Sequence, residues 1–142
     1  EVCKYNSHGA NFYTKEMALQ YIKSVQNNST CKVFAVCLRD SNMHIGNISL
    51  QQITTKEAEF AILMGEKKYW GKGYATEAGK ILFSFAFNKL NLKRVYCGTS
   101  EANLPMQKLA ISLGMFYYTR KENALFKNNN FFDVLFYKIK KP

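Results

Sequence analysis

The chain has 142 residues, enough for one domain with a real core and too few for two independent ones. A hydrophobic fraction of 47%, an aromatic fraction of 15% and only 2 prolines exclude a disordered chain. A net charge of +10, from 20 Lys and Arg against 10 Asp and Glu, favours anionic ligands: nucleic acid, a membrane surface or a phosphate-bearing small molecule.

Thr14 suits the N-cap of a first helix with Met17, Ala18, Tyr21, Ile22 and Val25 on one face, ending near Asn27-Asn28. Cys31 to Leu38 reads as a strand, Arg39-Asp40-Ser41-Asn42 as a hairpin turn, and His44 to Ile53 as a second strand. Gly46 within it marks a bulge or a close backbone approach. Ala58 to Met64 reads as a third strand. After a glycine-rich segment comes a helix from Thr76 to about Lys89, with Ala78, Leu82, Phe85 and Ala86 at helical spacing.

Lys93 to Thr99 is a short strand. A further helix opens near Asn103 with Pro105 in its first turn and stops at Gly114. Two strands close the chain, about Met115 to Phe126 and Phe131 to Ile139, joined by a turn in which Asn can take positive φ. The order predicts a mixed α/β sheet, mostly antiparallel, around one right-handed parallel strand–helix–strand unit.

The longest apolar run, Ile81 to Phe87, is interrupted by Ser84 and falls short of the ~20 residues that span a bilayer. No apolar leader follows Glu1, and an opening on Glu1 rather than Met suits a domain trimmed from a longer parent. Cys3, Cys31, Cys37 and Cys97 contain no C-x-x-C pair, and neither His8 nor His44 has ligand spacing to them. No metal is therefore expected, and the cysteines read as small apolar residues of a cytoplasmic protein. The basic run Lys138-Ile139-Lys140-Lys141 reads as a solvated end.

The chemistry sits in Trp70-Gly71-Lys72-Gly73-Tyr74-Ala75-Thr76. A strand ends, two glycines permit sharp turns, and a helix begins at once. The first amides of that helix lack intrahelical partners, and the helix dipole adds partial positive charge. Gly71 and Gly73 let an anion approach the backbone, and Lys72 adds a full charge, which suits a pyrophosphate. The segment lacks G-x-x-x-x-G-K-[ST], which excludes a P-loop. Thr76 stands where a Rossmann fingerprint needs its third glycine.

The block resembles the acetyl-CoA loop of the GNAT superfamily, Q/R-x-x-G-x-G/A, on Trp70, Gly73 and Ala75, with Trp70 in place of Gln or Arg. A second block agrees: Asn103 and Gly114-Met115 match an N-x₁₀-G-F signature with Met for Phe. Tyr69 to Ala78 and Phe132 to Tyr137 look like the branch holding ribosomal-protein N-terminal, spermidine and sugar-nucleotide acetyltransferases. The resemblance covers about His44 to Tyr137.

It implies a GNAT-like domain over 1–142 with helices on both faces of the sheet, using acetyl-CoA as cosubstrate. The third strand would splay from its neighbour, and the backbone of Ile62, Leu63 and Met64 would bond the pantetheine arm. Trp70 and the loop Gly71, Lys72, Gly73, Tyr74, Ala75, Thr76 would hold the pyrophosphate. Asn103 would bond the pantetheine. Lys108 is either a 3′-phosphate contact or a solvated helix residue. Many members place a Tyr seven residues after the Asn as proton donor, but Ala110 stands there.

Glu59 is the first choice of catalytic base, with Glu57 assisting through water. The alternative is a structural strand carboxylate. Ser100 and Glu101 are weaker candidates. The stretch Tyr5 to Tyr13 would wall the acceptor site, and His8 in it is either a titrating group or an exposed loop residue.

The implied partners are acetyl-CoA and an amine acceptor: a nucleotide-linked amino sugar, favoured by the basic charge, a protein N-terminus or a small amine. A CoA-binding regulatory module without catalysis is the alternative. No nucleic-acid signature and no membrane segment is present, and the aromatic C-terminal strands suit a monomer or a homodimer.

Overall fold

A computed structural model of the chain describes Val2, Lys4, Tyr5 and residues 14–142. Six strands form one sheet in the order β1-β2-β3-β4-β6-β5. Their ranges are β1 Lys32–Cys37, β2 His44–Gln51, β3 Glu57–Met64, β4 Arg94–Ser100, β5 Phe116–Lys127 and β6 Asn130–Lys140. The helices are α1 Lys15–Gln26, α2 Tyr74–Asn88 and α3 Leu104–Ser112. Every pairing is antiparallel except β3 with β4. The mixed, mostly antiparallel sheet with one parallel crossover is the expected fold class.

The core lies between the sheet and α2–α3. Strand alternation sends Ala58 and Phe60 of β3, and Val95 and Cys97 of β4, onto Leu82, Phe83, Ala86 and Phe87 of α2. Phe60 meets Phe83 edge to face, with ring centroids 5.2 Å apart. Gly79 lets α2 approach α3, because a Cβ there would lie 2.7 Å from Leu113 Cδ1.

Capping chemistry sets two of the helix starts. Thr14 Oγ1 accepts from the Met17 amide at 3.2 Å, and Asn103 Oδ1 accepts from the Met106 amide at 3.2 Å. The closing hairpin turns on Asn128 and Asn129, whose φ values are 51° and 60°, as a two-residue turn between twisted strands demands.

One expectation needs correction. The helix α2 opens at Tyr74, two residues before Thr76, because Gly73 takes φ +84° and serves as its N-cap. No residue of α1 is fully buried: Met17, Tyr21 and Ile22 stay about half exposed, although the helix packs along β1. Its periodicity sets the helix without supplying a core partner.

Candidate active site

The parallel pairing of β3 with β4 lasts three rungs, Glu57↔Arg94, Ala58↔Val95 and Glu59↔Tyr96. Both strands continue beyond, β3 to Met64 and β4 to Ser100, while β3 stays paired with β2 up to Gly46↔Met64. The sheet therefore opens into a cleft whose apex is the Glu59–Tyr96 rung.

The direction of the β3 backbone groups follows from the bonds at its ends. The Gly65 amide donates to Ile45 O at 3.0 Å on the β2 side, and Lys56 O accepts from the Lys93 amide at 2.7 Å on the β4 side. Leu63 O also points at β2, since a Cβ on Gly46 would lie 2.6 Å from it. Alternation leaves the backbone of Ile62 and Met64 facing the cleft and turns Leu63 away. The triplet named from sequence thus divides: two residues line the cleft by their backbone, and one is held by β2.

The loop after β3 is fastened to it. A 3₁₀ turn, Lys67–Tyr69, leads to Trp70, whose indole N–H donates to Met64 O at 2.9 Å. Gly71 and Gly73 have φ +70° and +84°, and a Cβ on either would meet nothing within 4 Å, so the space before them is open. Helix α2 has no side-chain cap, in contrast to α1 and α3. Its first intrahelical bond is Glu77 N–H to Gly73 O at 2.9 Å, which leaves the amides of Tyr74, Ala75 and Thr76 without helical partners. Three donors without helical partners at a positive dipole end suit an anion.

Around that helix start, Lys72 Nζ lies 5.8 Å from the centre of the Tyr69 ring, which meets Tyr74 edge to face. Thr76 Oγ1 lies 3.2 Å from Ser112 Oγ on α3. Lys108 is exposed one turn before Ser112, so it stands on the α3 face that approaches the start of α2. Asn103 spends its Oδ1 on capping α3, and Ala110 is fully buried in the core.

At the apex, Glu59 is half-buried, and desolvation holds its carboxyl above the ordinary range. Gln52 Nε2 donates to Glu59 Oε2 at 3.2 Å, and the Tyr96 hydroxyl donates to Gln52 Oε1 at 3.3 Å. Burial first, then the Glu59 charge, raises Tyr96. Glu57 does not stand beside Glu59 as a free carboxylate; it is ion-paired and hydrogen-bonded to Arg94.

Ser100 and Glu101 lie at the far end of β4, roughly 13 Å along the strand from Tyr96. Their side chains serve the fold: Ser100 Oγ accepts from the Ala102 amide at 3.2 Å, and Glu101 Oε1 accepts from the Asp133 amide at 3.0 Å. Of the stretch Tyr5 to Tyr13, the described residue Tyr5 lines a cavity of about 210 Å³ with Lys4, Ser100 and Phe132. The rest, His8 included, lies outside the described residues, as does Cys3.

Sequence reasoning missed Gln52, Tyr96 and Tyr118. The last lies close enough to Arg94, Glu57 and Glu59 to feel their charges. Tyr96 meets Glu59 through the parallel register of β3 and β4, which no local pattern encodes.

A cleft thus opens from one strand rung and leads to an uncapped helix start. Residues 1–116 match the family model described as an acetyltransferase (GNAT) domain, and the chain belongs to that family. It is 26% identical over 138 residues to the N-acetyltransferase YnaD of Bacillus subtilis, itself uncharacterised, covering 97% of this chain and 79% of that protein.

Its fold matches a GNAT-family acetyltransferase from Bacillus anthracis at TM-score 0.83 and 24% identity, over 99% of this chain and 81% of the other. It also matches the spermidine N-acetyltransferase of Vibrio cholerae, solved with CoA and spermine, at TM-score 0.89 and 20% identity, over 99% and 82%. Among the described residues, no helix is long and apolar enough to cross a membrane.

Proposed function

We propose that this domain moves an acetyl group from acetyl-CoA to a primary amine by direct attack. The observation that carries the reading is the cleft running from the Glu59–Tyr96 rung to the uncapped start of α2. Acetyl-CoA supplies the thioester. The Ile62 and Met64 backbone binds the pantetheine arm as an added strand would. The amides of Tyr74, Ala75 and Thr76, with Lys72 nearby, bind the pyrophosphate, and Lys108 sits on the side where the 3′-phosphate falls.

Glu59 takes the proton that the amine loses as it attacks. A carboxyl raised by burial is a better base than an exposed one, and it stands at the apex where the thioester end of the arm arrives. With Ala110 in the core, the departing thiolate is protonated from another source.

The acceptor reading favours an amine that also carries phosphate, such as a nucleotide-linked amino sugar. Lys56, Lys93, Arg94 and Lys140 surround a surface cavity of about 360 Å³, and Arg94 begins the strand that carries Tyr96. A protein N-terminus and small amines, including polyamines like the spermine bound by the Vibrio cholerae protein, remain in the set to test.

The buried Ala110 favours one second reading, a CoA-binding module without turnover. Calorimetry with CoA, then thiol release from acetyl-CoA against aminosugar nucleotides, spermidine and N-terminal peptides, separates them. Turnover with one class supports the enzyme. Binding of CoA with turnover of none supports the module, and absence of CoA binding defeats both.

A further inference from the structure

Gln52, in the connector between β2 and β3, has a φ of +48°, in the left-handed region that few non-glycine residues occupy. Strand alternation would send it to the face opposite Gln51, the residue paired with Glu59. The left-handed backbone breaks that alternation and returns the Gln52 amide to the Glu59 side. There its nitrogen donates to Glu59 at 3.2 Å and its oxygen accepts from Tyr96 at 3.3 Å. One side chain thus joins the two residues of the last rung before the strands part. An uncommon backbone conformation that aims a side chain at a cleft apex is where strain accompanies function.

We propose that Gln52 is a positioning residue for acetyl transfer, bridging Glu59 and Tyr96 across the apex of the cleft and governing when the Glu59 carboxylate is free to accept a proton. The inference rests on Glu59 being the base of the proposed reaction.

Among the described residues, charged and titratable groups act on Glu59 from its own strand and from neighbouring ones. Glu57 precedes it on β3 and is held by Arg94; Tyr96 faces it from β4, while Cys97, on the core side of β4, and Tyr118 of β5 feel its charge. Lys138 of β6 stands 4.2 Å from the centre of the Tyr118 ring. Burial pushes the Glu59 carboxyl up, while a donated N–H favours its charged form. Gln52 therefore opposes burial and keeps the base ionised to lower pH.

The test is Gln52→Ala in the whole chain carrying ¹³C-labelled glutamate. Without the donor, the Glu59 carboxyl should titrate higher by about half a pH unit. The acid limb of kcat/KM should follow it, and kcat at neutral pH should fall about tenfold with KM for acetyl-CoA unchanged.

Gln52→Gly relieves the left-handed backbone and also deletes the amide. It should behave like Gln52→Ala if the amide matters, and like the parent chain if only the backbone does. Gln52→Glu, which cannot donate when ionised and adds a like charge, should shift the titration further the same way. A Glu59 titration unmoved in the Ala and Gly variants overturns the proposal. Failure of the parent chain to bind CoA is a separate result, read before any variant is made, and removes the acetyl-transfer reading instead.

Discussion

The Trp70 indole donates to the Met64 carbonyl at 2.9 Å, so the glycine loop is tied by its first residue to the end of the strand it leaves. This bond fixes the distance between two parts of the proposed CoA site, the cleft edge of β3 and the start of α2. Trp70→Phe keeps the ring and removes the donor. It should cost about 1 kcal/mol of stability in urea denaturation and raise KM for acetyl-CoA several-fold, leaving kcat near the parent value. Because Trp70 is the only tryptophan, its fluorescence should change as CoA is titrated into the parent chain.

Glu59→Gln should lower kcat at neutral pH by about a hundredfold and leave KM for acetyl-CoA unchanged. In the parent chain, activity should rise with pH through the elevated Glu59 titration, and the variant should lack that limb. Stability should move the other way. A carboxyl raised in the fold contributes stability below its unfolded pKa and loses it as pH rises through the folded value. Above its folded titration the ionised, half-buried Glu59 is therefore a cost, and there the Gln variant should melt no lower than the parent. A kcat that does not change would remove Glu59 from the mechanism.

Gly73→Ala separates strain from blockage. The space around the new Cβ is empty within 4 Å, so the stability loss should be only that of a left-handed alanine, about 1 kcal/mol. The methyl group would stand at the N-cap of α2, before the free amides. Calorimetry should show CoA affinity falling by more than that stability loss predicts, and an unchanged affinity would place the pyrophosphate elsewhere.

Gly46→Ala acts through the backbone. Its Cβ would lie 2.6 Å from Leu63 O and 3.1 Å from Met64 Cα, neither of which can yield as a flexible side-chain end does. The end of β3 must shift, at a cost of roughly 1–3 kcal/mol. Thermal melting should register the loss, and CoA affinity should fall with it because Met64 borders the cleft.

Burial pushes the Cys97 thiol up to about 12, whereas Cys37 is exposed. A thiol reagent at neutral pH should label Cys37 in the native chain and reach Cys97 only after denaturation. Labelling followed by peptide mass mapping checks the order.

The fold was largely legible because its signals are local. Thr14 and Asn103 cap helices by side-chain chemistry, Asn128 and Asn129 turn a hairpin, and alternation in β3 marks Ala58 and Phe60 as core. The glycine loop was legible for the same reason. The apex was only half visible. Glu59 could be named from its strand, but its partner Tyr96 lies across a parallel rung that only tertiary packing sets. Gln52 was invisible because a positive φ on glutamine defies the propensity that would have to announce it. Glu57 shows the converse: parity put it on the right face, and a distant Arg94 claimed it.

Three rungs of pairing have a thermodynamic consequence for the molecule as a whole. The chain is two half-sheets, β1-β2-β3 and β4-β6-β5, sewn along a short seam. A ligand arm lying in the cleft lengthens that seam, so occupancy and cohesion of the two halves are one equilibrium. Melting temperature should climb with CoA concentration, and amide exchange at Ile62 and Met64 should slow in step.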